Sequence, residues 1–209
     1  MNYQRMLSGA LAGVSGRQQQ LGKAQKPKKR YPLAQGETVV TELPDTMEGI
    51  EFQVMKMAEY VRKYSGHRDV IDFARALVRK ARAQDLMDEV KKVYKFLLDH
   101  TRYVRDPVNR ELIQTPELMV RDIIDLEGKT GHLAQGDCDE LATFLATVLQ
   151  AIGHKTRFIF GAFDRGWQHV WVQDTDANAD KGGVMLDLAE RLPVGKVLRF
   201  YSYGSYPIW

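Results

Sequence analysis

The chain has 209 residues, 44% hydrophobic and 27% charged, which matches folded soluble proteins, excludes global disorder and allows one full core plus an appendage. Its longest apolar runs are broken by charge well short of the roughly 18 residues of a membrane span, and its lone cysteine excludes an intrachain disulfide. A reducing, cytoplasmic setting without a membrane anchor is therefore expected.

The net charge of +3 is uneven. Residues 1–36 hold seven basic residues and no acid, so this stretch carries +7 and leaves −4 for the rest. The mildly apolar run after Arg5 is too short and glycine-diluted for a clear secretory signal. Lys23, Lys26, Lys28, Lys29 and Arg30 follow among glutamines and prolines, with little to bury, so residues 1–45 are expected to form a basic, extended or disordered arm. Such an arm gains from counterion release on phosphate, nucleic acid or an acidic protein surface, or it is a solvated tail.

From residue 46 the pattern is that of one folded domain ending at 209. Ile50, Val54, Met57, Ala58 and Val61 recur at helical spacing over about 48–64. After Gly66, Val70, Phe73, Ala74 and Leu77 mark a second helix through Ala81, and a third runs from Asp85 to about His100, with Val90, Val93, Tyr94 and Leu97 on one face. Thr115-Pro116 reads as an N-cap with proline at the first helical position, opening a short helix to about Asp125, and residues 128–135 read as loop. Beyond Gly153 the period changes to two. Strands are expected at 156–162, 167–173 and 184–188, with an edge strand at 197–203, giving an antiparallel sheet.

Gly136-Asp137-Cys138-Asp139-Glu140 stands where loop becomes helix. Asp137 and Glu140 have the spacing of a capping box, which places Cys138 at the first helical position. A thiol there feels the positive end of the helix dipole, which favours the nucleophilic thiolate, and the unpaired amides of the first turn are donors for an oxyanion. Asp137, Asp139 and Glu140 oppose this by charge repulsion, so an imidazolium partner is required. His169 in the strand 167–173 is the candidate, sharing its face with Trp171. Asp187 is an acid inside an otherwise apolar strand, which calls for a partner. An aspartate on one ring nitrogen fixes the tautomer and leaves the other for the thiol.

These segments, together with Ala151-Ile152-Gly153-His154-Lys155-Thr156-Arg157 and the tyrosine-bearing run 101–106, resemble the transglutaminase-like superfamily over about residues 85–192. The resemblance implies an α+β papain-like fold, with helices and a cysteine-bearing helix packed on a small antiparallel sheet. It also implies a Cys138–His169–Asp187 triad and thiol-dependent acyl transfer at amide bonds of a protein or peptide substrate, by hydrolysis or transfer to an amine. The compact form is most similar to bacteriophage and prophage members. That implies a bacterial-host or virion setting, and an alternative in which the fold serves as a virion component that assembles through its arm. The turn after Asp187 departs from the family's Asp-Pro pattern. Gln135 and Gln114 are the side-chain candidates for an oxyanion donor.

Two rival motifs are discounted. Asp174 to Asp180 spaces acids like a calcium loop, but Ala179 and Met185 stand where an EF-hand needs glycine and glutamate. His67, His100, His132 and His154 lack zinc-ligand spacing, so neither metal nor cofactor is expected.

Overall fold

The computed structural model describes residues 39–41, 47–106, 111–126, 133–162, 167–200 and 202–208. Of the expected arm, residues 1–45, Val39–Thr41 are described and form a strand, and Lys23 to Arg30 lie outside the described residues. Five α-helices occur among the described residues: α1 (Met47–Tyr64), α2 (Arg68–Val78), α3 (Leu86–His100), α4 (Pro116–Leu126) and α5 (Cys138–Ala151). The strands are β1 (Val39–Thr41), β2 (Thr101–Tyr103), β3 (Glu111–Ile113), β4 (Ala134–Gly136), β5 (Thr156–Ala162), β6 (Trp167–Asp174), β7 (Val184–Leu186) and β8 (Ser202–Pro207).

α5 is the centre of the molecule. Every residue from Asp139 to Leu149 is buried, so the helix is enclosed on all sides, where the periodicity predicts burial of one side only. The reason is visible in its composition: beyond the first turn it holds no charge, and Thr147 satisfies its hydroxyl on the Thr143 carbonyl at 2.7 Å. Leu141, Phe144, Leu145, Val148 and Leu149 are at most 1% exposed. Each contributes roughly 1.5–3 kcal/mol through burial. The other helices supply the surrounding wall, with Phe73 of α2 stacking on Phe144 at 6.2 Å.

The main sheet is antiparallel in the order β7-β6-β5-β8. Two faces are distinguished by strand parity. Phe158, Val170, Val172 and Leu186 join the core that contains α5, whereas Trp171 and Ile159 are buried outside that cluster. Two small ladders flank the helices, β1 with β3 antiparallel and β2 with β4 parallel.

Three-residue strands at 101–103, 111–113 and 134–136 replace expected loop or helix margin, because so short a segment carries no readable period. The C-terminal strand begins at Ser202, five residues later than the pattern suggests. α2 stops at Val78, and β7 ends at Leu186. Thr115 does precede Pro116, but its buried hydroxyl has no hydrogen-bond partner, so the helix start rests on backbone bonds to the Thr115 carbonyl instead. No described helix is long and apolar enough to cross a membrane.

Candidate active site

Cys138 sits at the first position of α5, half-buried against the core. The capping box is formed: the Asp137 amide donates to Glu140 Oε2 at 2.9 Å, and Asp137 Oδ1 accepts from the Asp139 amide at 3.1 Å. Glu140 reaches further, its Oε1 accepting from the Gln114 amide at 3.1 Å. This single carboxyl therefore joins the approach to the cysteine helix with the approach to α4. Gly136 makes room for it, since a Cβ there would lie 2.6 Å from Glu140 Oε2.

The acids around the thiol are less repulsive than their number suggests. Burial pushes the Glu140 carboxyl up to about 8, against the N–H groups it accepts, with the charges of Asp137 and Asp106 adding to the effect. It is mostly neutral at pH 7. Burial also raises Asp106 to about 6, opposed by its bond from the Leu112 amide. Asp139 is buried and receives the Gln53 amide from α1 at 3.0 Å. Tyr103 stands opposite Gly136 in the β2–β4 ladder. Its phenol pKa is raised by burial first and then by the charges of Cys138 and Asp137 beside it, with an Arg105 hydrogen bond opposing.

His169 and Asp187 are brought together. His169 Nε2 lies 2.8 Å from Asp187 Oδ2, with the two side chains 6% and 0% exposed. Asp187 Oδ1 accepts from the Glu190 amide at 3.1 Å, which fixes the carboxylate from its own turn. His169 is on the face of β6 opposite Val170 and Val172. There it stacks with Trp171 at 5.8 Å and Phe200 at 6.0 Å, and those two rings stack at 4.7 Å. Phe200 reaches this position because Gly161, paired with His169, has no side chain: a Cβ there would come within 2.5 Å of the ring. The aromatic pair walls the imidazole–carboxylate contact from water, which strengthens it.

The sequence profile of the transglutaminase-like superfamily matches residues 71–182, more than half of the chain, and the match contains the cysteine helix and the histidine strand. The chain belongs to this superfamily. A crystal structure of a candidate protease from Parabacteroides distasonis is similar over 70% of this chain and 30% of that one, with 16% identity and a TM-score of 0.44. The present chain thus spans less than a third of that protein. No curated protein sequence gives a significant match.

In this transglutaminase-like chain the other expected site residues fall differently. Gln135 is exposed on β4 opposite Arg102, and Gln114 uses its backbone amide on Glu140 while its Oε1 is buried without a partner. Asp174 is structural, its Oδ1 accepting from the Asp176 and Ala177 amides at 3.0 and 2.8 Å. Its Oδ2 meets His154 Nδ1 at 2.6 Å, while Nε2 of that ring meets Glu89 at 3.0 Å. Among the described residues, two carboxylate-rich groups have ligand atoms within 4.8 Å of one another, Asp137 with Asp139 and Glu140, and His67 with Asp69 and Glu117. The first is occupied by helix-capping bonds, and Arg121 already pairs with Glu117 in the second. Helical spacing put Tyr94 on an apolar face but gave it no role, and Phe200 and Tyr103 were not singled out by spacing; the roles of all three depend on elements remote in sequence.

Proposed function

We propose that the protein is a thiol enzyme of acyl transfer at amide bonds, with Cys138 as nucleophile, His169 as proton carrier and Asp187 as its orienting carboxylate. The observation that carries this reading is the buried His169–Asp187 contact. β7 pairs with Val172 to Asp174 of β6, and the turn after it brings Asp187 to His169. Cys138 opens α5, which packs on the Val170 and Val172 face of the sheet. The helix turns tightly into β5, with Gln150 bonded to Thr156 at 3.0 Å. Fourteen helical residues rise about 21 Å and seven strand residues about 23 Å, so the two elements match in length, and the reading requires the thiol at the helix mouth to meet, past the end of the sheet, an imidazole on its other face.

The chemistry follows from these groups. The Cys138 thiolate attacks the amide carbonyl, and the amides of Asp139, Glu140 and Leu141, which donate within the cap, leave the oxyanion to other donors. The imidazolium gives its proton to the departing amine as the C–N bond breaks, leaving a thioester. Water or a second amine then attacks, giving its proton to His169, and the thiolate leaves.

Because Cys138 is the only cysteine, alkylation of the full chain by iodoacetamide reads this thiol alone. A paired thiolate reacts well below the ordinary thiol pKa of about 8.5, and His169→Ala moves the reactive limb up toward it. A limb near the ordinary value in both proteins would sink the proposal, as would labelling that persists in Cys138→Ala.

A further inference from the structure

The turn that presents Asp187 is held from outside its own strand. The Tyr94 hydroxyl, on α3, lies 2.6 Å from the carbonyl oxygens of both Asp187 and Leu192, and the ring is 2% exposed. One buried donor is thus shared by the two ends of the turn, which is closed by the Leu192 amide donating to the Asp187 carbonyl at 3.2 Å. Arg191, at the tip, adopts a left-handed conformation with φ +54 and sends its guanidinium back to α3, to the Leu98 carbonyl at 2.6 Å and the Thr101 carbonyl at 3.3 Å. A non-glycine residue held at positive φ costs energy, so the surrounding contacts must enforce it.

This arrangement replaces what the sequence lacks. β7 ends at Leu186, one residue before the carboxylate, so no ladder bonds from β6 fix Asp187. The next strand does not begin until Ser202. Besides Tyr94 and Arg191, the turn is held by its internal bonds, by Leu188 in the core, by the Gly195 amide on the Met185 carbonyl and by His169 itself. Burial raises the Tyr94 phenol above its ordinary pKa, with the Asp187 charge adding, so it remains a donor throughout the working range.

We infer that Tyr94 and Arg191 are positioning residues for the active site, clamping the Asp187 turn to α3 so that the carboxylate meets His169 in one fixed geometry. The inference rests on the triad reading above. It extends that reading to two residues that touch neither substrate nor the reacting atoms, and it makes α3 part of the catalytic scaffold.

The test is the pH profile of iodoacetamide alkylation at Cys138, measured on the full chain for wild type, Tyr94→Phe, Asp187→Ala and the double variant, each checked for folding by circular dichroism. Tyr94→Phe leaves no cavity. Supporting groups of this kind are worth roughly 10–100-fold, so the expected result is alkylation slowed about tenfold on the acid side, with the reactive limb displaced upward. In the Asp187→Ala background the same substitution should change nothing further, because there is no carboxylate left to position. A purely structural tyrosine would slow both backgrounds equally, and that result overturns the inference, as does a silent Tyr94→Phe beside an affected Asp187→Ala. If Asp187→Ala is itself silent, the triad reading falls and takes the clamp with it. Should Tyr94→Phe not fold, Arg191→Ala at the exposed tip decides the matter by the same comparison: slowing that vanishes without Asp187 supports the clamp, and its absence refutes it.

Discussion

His154 offers the most exposed test of the physical reasoning. Its side chain is 1% exposed at the corner between α5 and β5, and both ring nitrogens face carboxylates, Asp174 at 2.6 Å and Glu89 at 3.0 Å. Burial works against its protonation, but the bonds and charges of Asp174 and Glu89 more than compensate, so its pKa is raised above the ordinary 6.5. His154→Leu keeps a similar volume and leaves the two acids without their partner. Breaking a buried charged pair costs about 3–5 kcal/mol. Asp174 keeps its two backbone donors and the Glu89 side chain is 23% exposed, which lowers the expected loss to about 2–3 kcal/mol. For a chain of this size that is roughly 5–10 °C in Tm. The sign with pH is also determined. A group whose folded pKa is raised contributes most below its unfolded pKa, and the contribution fades as pH rises through the folded value. Urea denaturation of wild type and variant should therefore give a difference that is full at pH 6 and narrows above neutrality. A loss below about 1 kcal/mol, or a difference that widens with pH, would refute the imidazolium assignment.

Two further outcomes follow from the site. Glu140→Gln turns one acceptor into an N–H donor facing a backbone amide, at a cost of about 1–3 kcal/mol near pH 6. The raised pKa of about 8 means that wild type loses stability as pH climbs from 4.5 through that value while the variant does not, so denaturation midpoints should converge toward pH 9 and must not diverge. Gly161→Ala forces Phe200 off His169 and should cost about 1–3 kcal/mol by overpacking. It should also shift the His169 ring resonances in NMR, and unchanged resonances would show that the stacking is not as described.

How much was legible beforehand differs by element. The helices 47–64, 86–100 and 116–126 are long enough for their apolar period to declare itself, and the Asp137–Glu140 spacing located Cys138 to the residue. Strand parity put His169 on the same face as Trp171, and the acid in an apolar strand correctly implied a partner for Asp187. Short strands such as 134–136 were not legible, because a ladder of three residues is defined by its neighbour and not by its own pattern. Gln114 and Gln135 were named from their place ahead of Cys138, and proximity in sequence does not decide which way an amide points. Nor did the apolar period disclose that α5 would be covered on every side, although its lack of charge after Glu140 agrees with it.

Local signals therefore determined the elements, the place of the thiol at a helix mouth and the candidate imidazole and carboxylate, since capping and hydrophobic period act over four residues or fewer. Tertiary structure alone decided that His169 and Asp187 meet across 18 residues, that Tyr94 holds the Asp187 turn from a distance of 93 residues, and that Phe200 closes over Gly161. The physical reason is that a buried polar group specifies only its need for a partner. Which partner answers is settled by the packing of helices and sheet around α5.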